Sequence, residues 1–227
     1  MNITMVERAI SQASAAGLSE LETSKVLRNT YMLLSMTLAF SALTAGISTM
    51  MGMTLMSPWI FLIGAIGLSF AVHKTADSAL GLVMVFAFTG FIGFYVGPVI
   101  SLYSSLPGGS TAVVSALGMT AFAFVGLSGF AVVTKKDFSF MTGFITIGMF
   151  VMLGAIVLNL LFDLGAFQTA ISAGIVILMS AMILWQTSAI IHGCETNYIR
   201  ATVTLFMSIY NLFMSLLHLF MAFGGDD

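Results

Sequence analysis

The chain has 227 residues, of which 59% are hydrophobic and 7% charged. A soluble domain carries about 25% charged residues, so a globule of this composition has too little polar surface to face water, and the chain reads as an integral membrane protein. A net charge of −2 argues against nucleic acid as a partner, and the single cysteine, Cys194, excludes an intrachain disulfide.

Residues 1–25 are polar and lack an apolar stretch ending at a small-residue cleavage site, so the first span is expected to act as its own insertion signal. Ser19 with Glu22 three residues on makes a weak capping box. The segment reads as a short cytosolic arm, either disordered or partly helical, and as a handle for a cytosolic partner.

Apolar runs of about 20 residues are candidate membrane helices. Seven follow in order, near 27–50, 57–73, 79–103, 111–133, 138–162, 168–191 and 200–223. Short connectors such as "HKTAD", "TKKD" and "HGCETNYI" join them and leave no room for a soluble domain. The second run is the shortest, and six spans with a re-entrant second segment is the alternative. The expected fold class is an all-α integral membrane protein of seven transmembrane helices. Its membrane domain covers 26–224, and a short acidic periplasmic tail covers 225–227.

Orientation follows from Arg8, Lys25, Arg28, Lys74, Lys135, Lys136 and Arg200. With seven spans and the N-terminus inside, all of them fall on the cytoplasmic side, which predicts N-in and C-out. The opposite side holds Asp163, Asp226 and Asp227. Trp59 and Tyr103 near the outer boundary, and Tyr31 and Tyr198 near the inner one, suit an aromatic belt.

In the third span, "GFIGFYVGP" places Gly93 and Gly97 at the spacing that lets helices approach closely, and Pro98 is expected to kink the end. A gating hinge is the other reading. The 18 Met residues fill lipid-facing and core gaps.

The seventh span carries Asn197, Ala201, Thr204, Ser208, Asn211, Ser215 and His218 at alternating steps of four and three, so they share one helical face. A polar stripe against lipid is costly, so this face should point into the bundle and the seventh helix should be central. Two readings stay open. The hydroxyls and amides bond neighbouring helices, at about 0.6–2 kcal/mol each, or they line a cavity or ion path. Gln186 and Ser208 lie at similar depths on consecutive helices, about 9 and 12 Å from the cytoplasmic end. They are placed to share a hydrogen bond or a water. These two residues, with Thr204, Asn211 and Ser215, form the candidate central polar site. His218 and Asn159 are polar positions on the outer side.

"GLSG", Gly126 to Gly129, resembles the serine motif of an intramembrane protease, but Ser128 and His218 differ in depth by about 19 Å, too far for a dyad. His192 and Cys194 flank Gly193, where a surface turn is expected rather than a thiolate pair or half a metal site. No phosphate-loop glycine spacing occurs. The reading is of a protein without catalytic residues, cofactor or metal.

The strings "KVLRNTYMLLSMTLAFSA", "FAFTGFIGFYVGP", "TKKDFSF", "HGCETNYIRATVTL" and "YNLFMSLL" resemble a bacterial branch of the Bax inhibitor-1 (transmembrane BAX inhibitor motif) family over nearly the whole chain. The resemblance implies a seventh helix wrapped by the other six. It also implies binding to the membrane-anchored, ATP-dependent zinc protease FtsH with its HflK and HflC partners, as a slow substrate that competes with other membrane proteins. The arm at 1–25 is then where the protease grips. Other members of the family resemble pH-sensitive calcium leak channels with two aspartates near the cytoplasmic side. The matching positions here are Gln186, before Thr187, and Ser208, three residues before Asn211-Leu212-Phe213. Both acids are missing, which removes the carboxylate pair such a sensor needs. A calcium or other ion leak channel with an altered pH sensor is the alternative function.

Overall fold

In lipid every backbone N–H and C=O must be satisfied within the chain, and a helix does this locally. The computed structural model describes the backbone of residues 3–162 and 165–224 and the side chains of 20–159, 161–162 and 167–224. Its helices are α1 (Ile3–Met50), α2 (Pro58–Thr75), α3 (Ala79–Ser104), α4 (Gly109–Thr134), α5 (Thr142–Phe162), α6 (Gly165–Ile191) and α7 (Tyr198–Phe223), with a 3₁₀ turn at Ser139–Met141 before α5. Among the described residues seven helices are long and apolar enough to cross a membrane, the first from Glu20. The protein is an all-helical, multi-pass membrane protein.

α2 is one unbroken helix of 18 residues, about 27 Å long, so the six-span alternative does not hold. α3 runs to Ser104 with Pro98 inside it. The backbone is helical on both sides of Ser19, so the expected capping box sets no helix start. Asp163 and the acidic tail at 225–227 lie outside the described residues. α6 ends as "HGC" dictates. Gly193 takes φ 70°, its N–H bonds Ile190 O at 3.1 Å, and the Cys194 N–H bonds Ala189 O at 2.8 Å. This Schellman pair is the reason for a glycine there.

α7 packs against α1, α2, α3, α4 and α6, five helices rather than the expected six, whereas among the described residues α5 packs only on α6 and the 3₁₀ turn. No residue of α7 from Tyr198 to Met221 is exposed. Phe206 of α7 meets Phe88 of α3 edge-on at 6.1 Å, and both are among the largest fully buried side chains. α1 and α3 pack closely because Gly93 and Gly97 present bare backbone to Ser41, Ala45 and Ser48. The GxxxG spacing thus serves packing.

Candidate functional site

The polar stripe of α7 is enclosed, but not by virtue of its polarity. Ala201, Ser208 and Ser215 are buried, and so are Leu205, Phe206, Leu212 and Leu217 on the remaining faces. Asn197, Thr204, Asn211 and His218 are partly buried. In the middle of the stripe the hydrogen bonds run within α7 rather than to neighbouring helices. Thr204 Oγ1 donates to Arg200 O at 3.1 Å, Ser208 Oγ to Thr204 O at 2.8 Å, and Asn211 Nδ2 to Met207 O at 2.8 Å. Each turns back on its own helix, a habit of short polar side chains in helices. Thr202, off the stripe, crosses instead, donating to Thr30 O of α1 at 3.3 Å as well as to Tyr198 O at 2.7 Å.

Gln186 and Ser208 are both buried, yet they form no hydrogen bond with one another. Ser208 is committed to Thr204 O, and Gln186 Nε2 has no partner among the described residues. A buried donor without a partner costs about 1–3 kcal/mol. Gln186→Met, similar in volume and free of that donor, is therefore expected to raise stability by about 1 kcal/mol. Thermal unfolding in detergent checks this. A lower midpoint would mean that the amide holds a water in the membrane.

The neighbouring residues of α6 carry the contacts that cross between elements. Thr187 Oγ1 lies 3.1 Å from the Tyr31 hydroxyl of α1. Ser188 Oγ accepts from the Phe138 N–H at 3.0 Å and donates to Lys136 O at 3.1 Å, pinning the α4–α5 connector to α6. In that connector Asp137 is held below the usual carboxylate range, chiefly by the backbone N–H of Ser139, then by the Ser139 hydroxyl, with nearby His192 adding to it.

At the same end of the bundle lies the most developed polar cluster. Asn197 caps α7, its Oδ1 accepting from the N–H groups of Ile199 at 2.9 Å and Arg200 at 3.2 Å. Its Nδ2 reaches across to Ala76 O at 3.0 Å and Asp77 Oδ1 at 2.7 Å. Arg200 Nη2 donates to both oxygens of Asp77, at 2.9 and 2.7 Å. Glu195 Oε1 accepts from the Asn197 N–H at 2.8 Å. The "ETNYIR" string is thus a clasp that holds the α2–α3 turn to the start of α7. The fit is close at Gly81, where a Cβ would meet Thr75 O at 2.6 Å and Ile199 Cδ1 at 3.0 Å.

The other candidates stand apart from this cluster. Tyr103 and His218 approach at 3.5 Å, and Asn159 Nδ2 donates to Gln168 Oε1 at 2.7 Å, tying α5 to α6. The buried Ser128 hydroxyl has no partner among the described residues, so no Ser–His dyad is formed. His192 Nδ1 lies 2.9 Å from Ser188 O, and Cys194 is exposed.

Residues 23–225 match the family described as inhibitor of apoptosis-promoting Bax1. The chain belongs to the Bax inhibitor-1 family. It is 52% identical over 216 residues to an uncharacterised protein of Pseudomonas aeruginosa, covering 95% of this chain and 97% of that one. It is 47% identical over 193 residues to the modulator of FtsH protease YccA of Escherichia coli K12, covering 85% and 88%. An Escherichia coli O6:H1 protein named inner membrane protein YccA matches at the same identity and coverage. The names of the family and of these YccA proteins are those of regulators and membrane proteins, not of enzymes.

For this member of the Bax inhibitor-1 family, sequence reasoning does not reach Asp77, Ser188 or Thr202, and it reads Tyr31 only as a belt aromatic and Thr187 only as the neighbour of Gln186. Spacing within one helix says nothing about partners that lie 50 to 172 residues away. The one available signal is that Asp77 is the sole acid of "HKTAD" and Arg200 the sole Lys or Arg of the loop and helix that follow α6.

Proposed function

We propose that this chain is an inner-membrane modulator of the FtsH protease, with its N-terminus in the cytoplasm and its C-terminus in the periplasm. It acts as a slow substrate and competitive inhibitor that restrains degradation of other membrane proteins, in company with HflK- and HflC-type subunits. The observation that carries this reading is 47% identity with the Escherichia coli modulator over 85% of the chain. The arm at 1–25 is the handle, and the bundle around a central α7 is the body that resists extraction. Slow extraction fits a helix that is nowhere exposed from Tyr198 to Met221 and is clasped at its start. Gln186 and Ser208 are neutral and do not titrate, which weighs against a calcium channel gated by a carboxylate pair.

Pull-down from native membranes in mild detergent should recover FtsH. Removing residues 1–25 should lengthen the protein's half-life in FtsH-containing cells several-fold while leaving that recovery intact. Unchanged turnover after the deletion would remove the arm's role, and failure to recover the protease would remove the whole reading.

A further inference from the structure

α1 and α4 each pack on α3 and on α7, and they meet one another through side chains where Tyr31 and Phe124 stand with ring centroids 5.9 Å apart, while their backbones stay separate. Between them a cleft of about 690 Å³ opens sideways from the bundle, within the roughly 300–1,000 Å³ range of small-molecule sites. Ala42 and Gly46 of α1 and Ala121 of α4 form its walls, and Phe206, Tyr210 and Phe213 of α7 form its floor. Small side chains create the room, and a Cβ built on Gly46 meets nothing within 4 Å. No charged residue lines the cleft, and the Thr120 hydroxyl in its wall is already bonded to Ala116 O.

Shape and position select the occupant. Along α1 the lining runs from Leu38 to Met50, about 18 Å of helix. One leaflet of a hydrocarbon core is about 15 Å deep. The mouth is continuous with the bilayer-facing surface, since Met50, Leu117 and Val125 are largely exposed and belong to spanning segments. An empty apolar cleft forfeits the dispersion contacts of its lining, and the medium at its mouth is acyl chain rather than water. We propose that this cleft is a lipid site, in which one acyl chain of a phospholipid from the leaflet on the Met50 side lies against α7 between Phe206 and Phe213. An acyl chain in the cleft would reach α7 at residues that the protein otherwise buries, Phe206, Ile209 and Phe213, whatever the protein does to a protease.

The test uses full-length protein in nanodiscs of phosphatidylethanolamine and phosphatidylglycerol whose acyl chains carry a diazirine. After irradiation, peptide mass spectrometry locates the label. Label is expected on α7 between Phe206 and Phe213, as well as on the lipid-facing α5. In Ala42→Phe/Ala121→Phe the α7 label should fall about tenfold while the α5 label is unchanged. Gly46→Leu, whose side chain grows into open space, should lower the α7 label in the same direction and decides the matter if the double variant is misfolded. An α7 free of label in the wild-type protein, because a second copy or a partner helix fills the cleft, overturns the proposal. So does α7 label that persists in the filled variants.

Discussion

A Gly93→Val variant is expected to lose about 3 kcal/mol or more of stability, at or beyond the upper end of the usual cost of overpacking. A Cβ at Gly93 would press on the Ser41 carbonyl oxygen and the Thr44 hydroxyl, and would stand 2.7 Å from Ser41 Cα. Two of those atoms are backbone of α1 and cannot swing away, so the helices must separate along the seam that Gly97 shares. Gly126→Ala is the control. Gly126 has open space around it, and the change should gain up to about 1 kcal/mol from helix propensity. Thermal unfolding in one detergent should order the proteins as Gly126→Ala, wild type, Gly93→Val. Equal midpoints for the two variants would mean that the α1–α3 seam is not close-packed in the membrane. Degradation by FtsH should follow the same order, with Gly93→Val the fastest, if resistance to extraction is what makes a modulator.

The second large effect belongs to the clasp. Asn197→Ala removes an N-cap, worth about 0.5–2 kcal/mol, together with two bonds to the α2–α3 turn. A total near 2 kcal/mol is expected, since exposed hydrogen bonds return about 0.5–1.5 kcal/mol each and do not add fully. Asp77→Ala should cost less, about 0–1 kcal/mol, because its bridge to Arg200 is solvated and surface pairs are weak. The Asp77 side chain is 76% exposed. Its cost should shrink further at high salt, whereas that of Asn197→Ala should not, since capping is short-range. Unfolding midpoints at two ionic strengths test this. If Asp77→Ala proves as damaging as Asn197→Ala, and equally so in salt, the ion pair rather than the cap fastens α7.

Particular residues show how far sequence reasoning carried. The spans were legible because about 20 apolar residues in lipid have one solution, a helix, and the observed ends fall within a few residues of the expected ones outside the N-terminal arm. The third-helix glycines were legible because close approach requires a missing side chain. The stripe from Asn197 to His218 was legible as a face, but its bonding was not. Thr204, Ser208 and Asn211 each had a carbonyl four residues back and needed no neighbour. Gln186 was singled out for polarity at depth, and it is buried with its Nε2 unpartnered among the described residues. Its neighbours Thr187 and Ser188, less conspicuous in type, make the bonds to other elements.

By itself, the sequence determined that this protein crosses a membrane seven times and that its helices pack through small residues, because hydropathy and helical period act within one segment. Only the tertiary structure decided that Asp77 meets Asn197 and Arg200 and that, of the other six α-helices, α5 rests on α6 among the described residues. It also decided that α1 and α4, which meet at Tyr31 and Phe124, leave a cleft over an apolar floor. Each of these depends on which helix lies beside which, and in a uniformly apolar chain many helix orders bury similar surface, so composition does not choose among them.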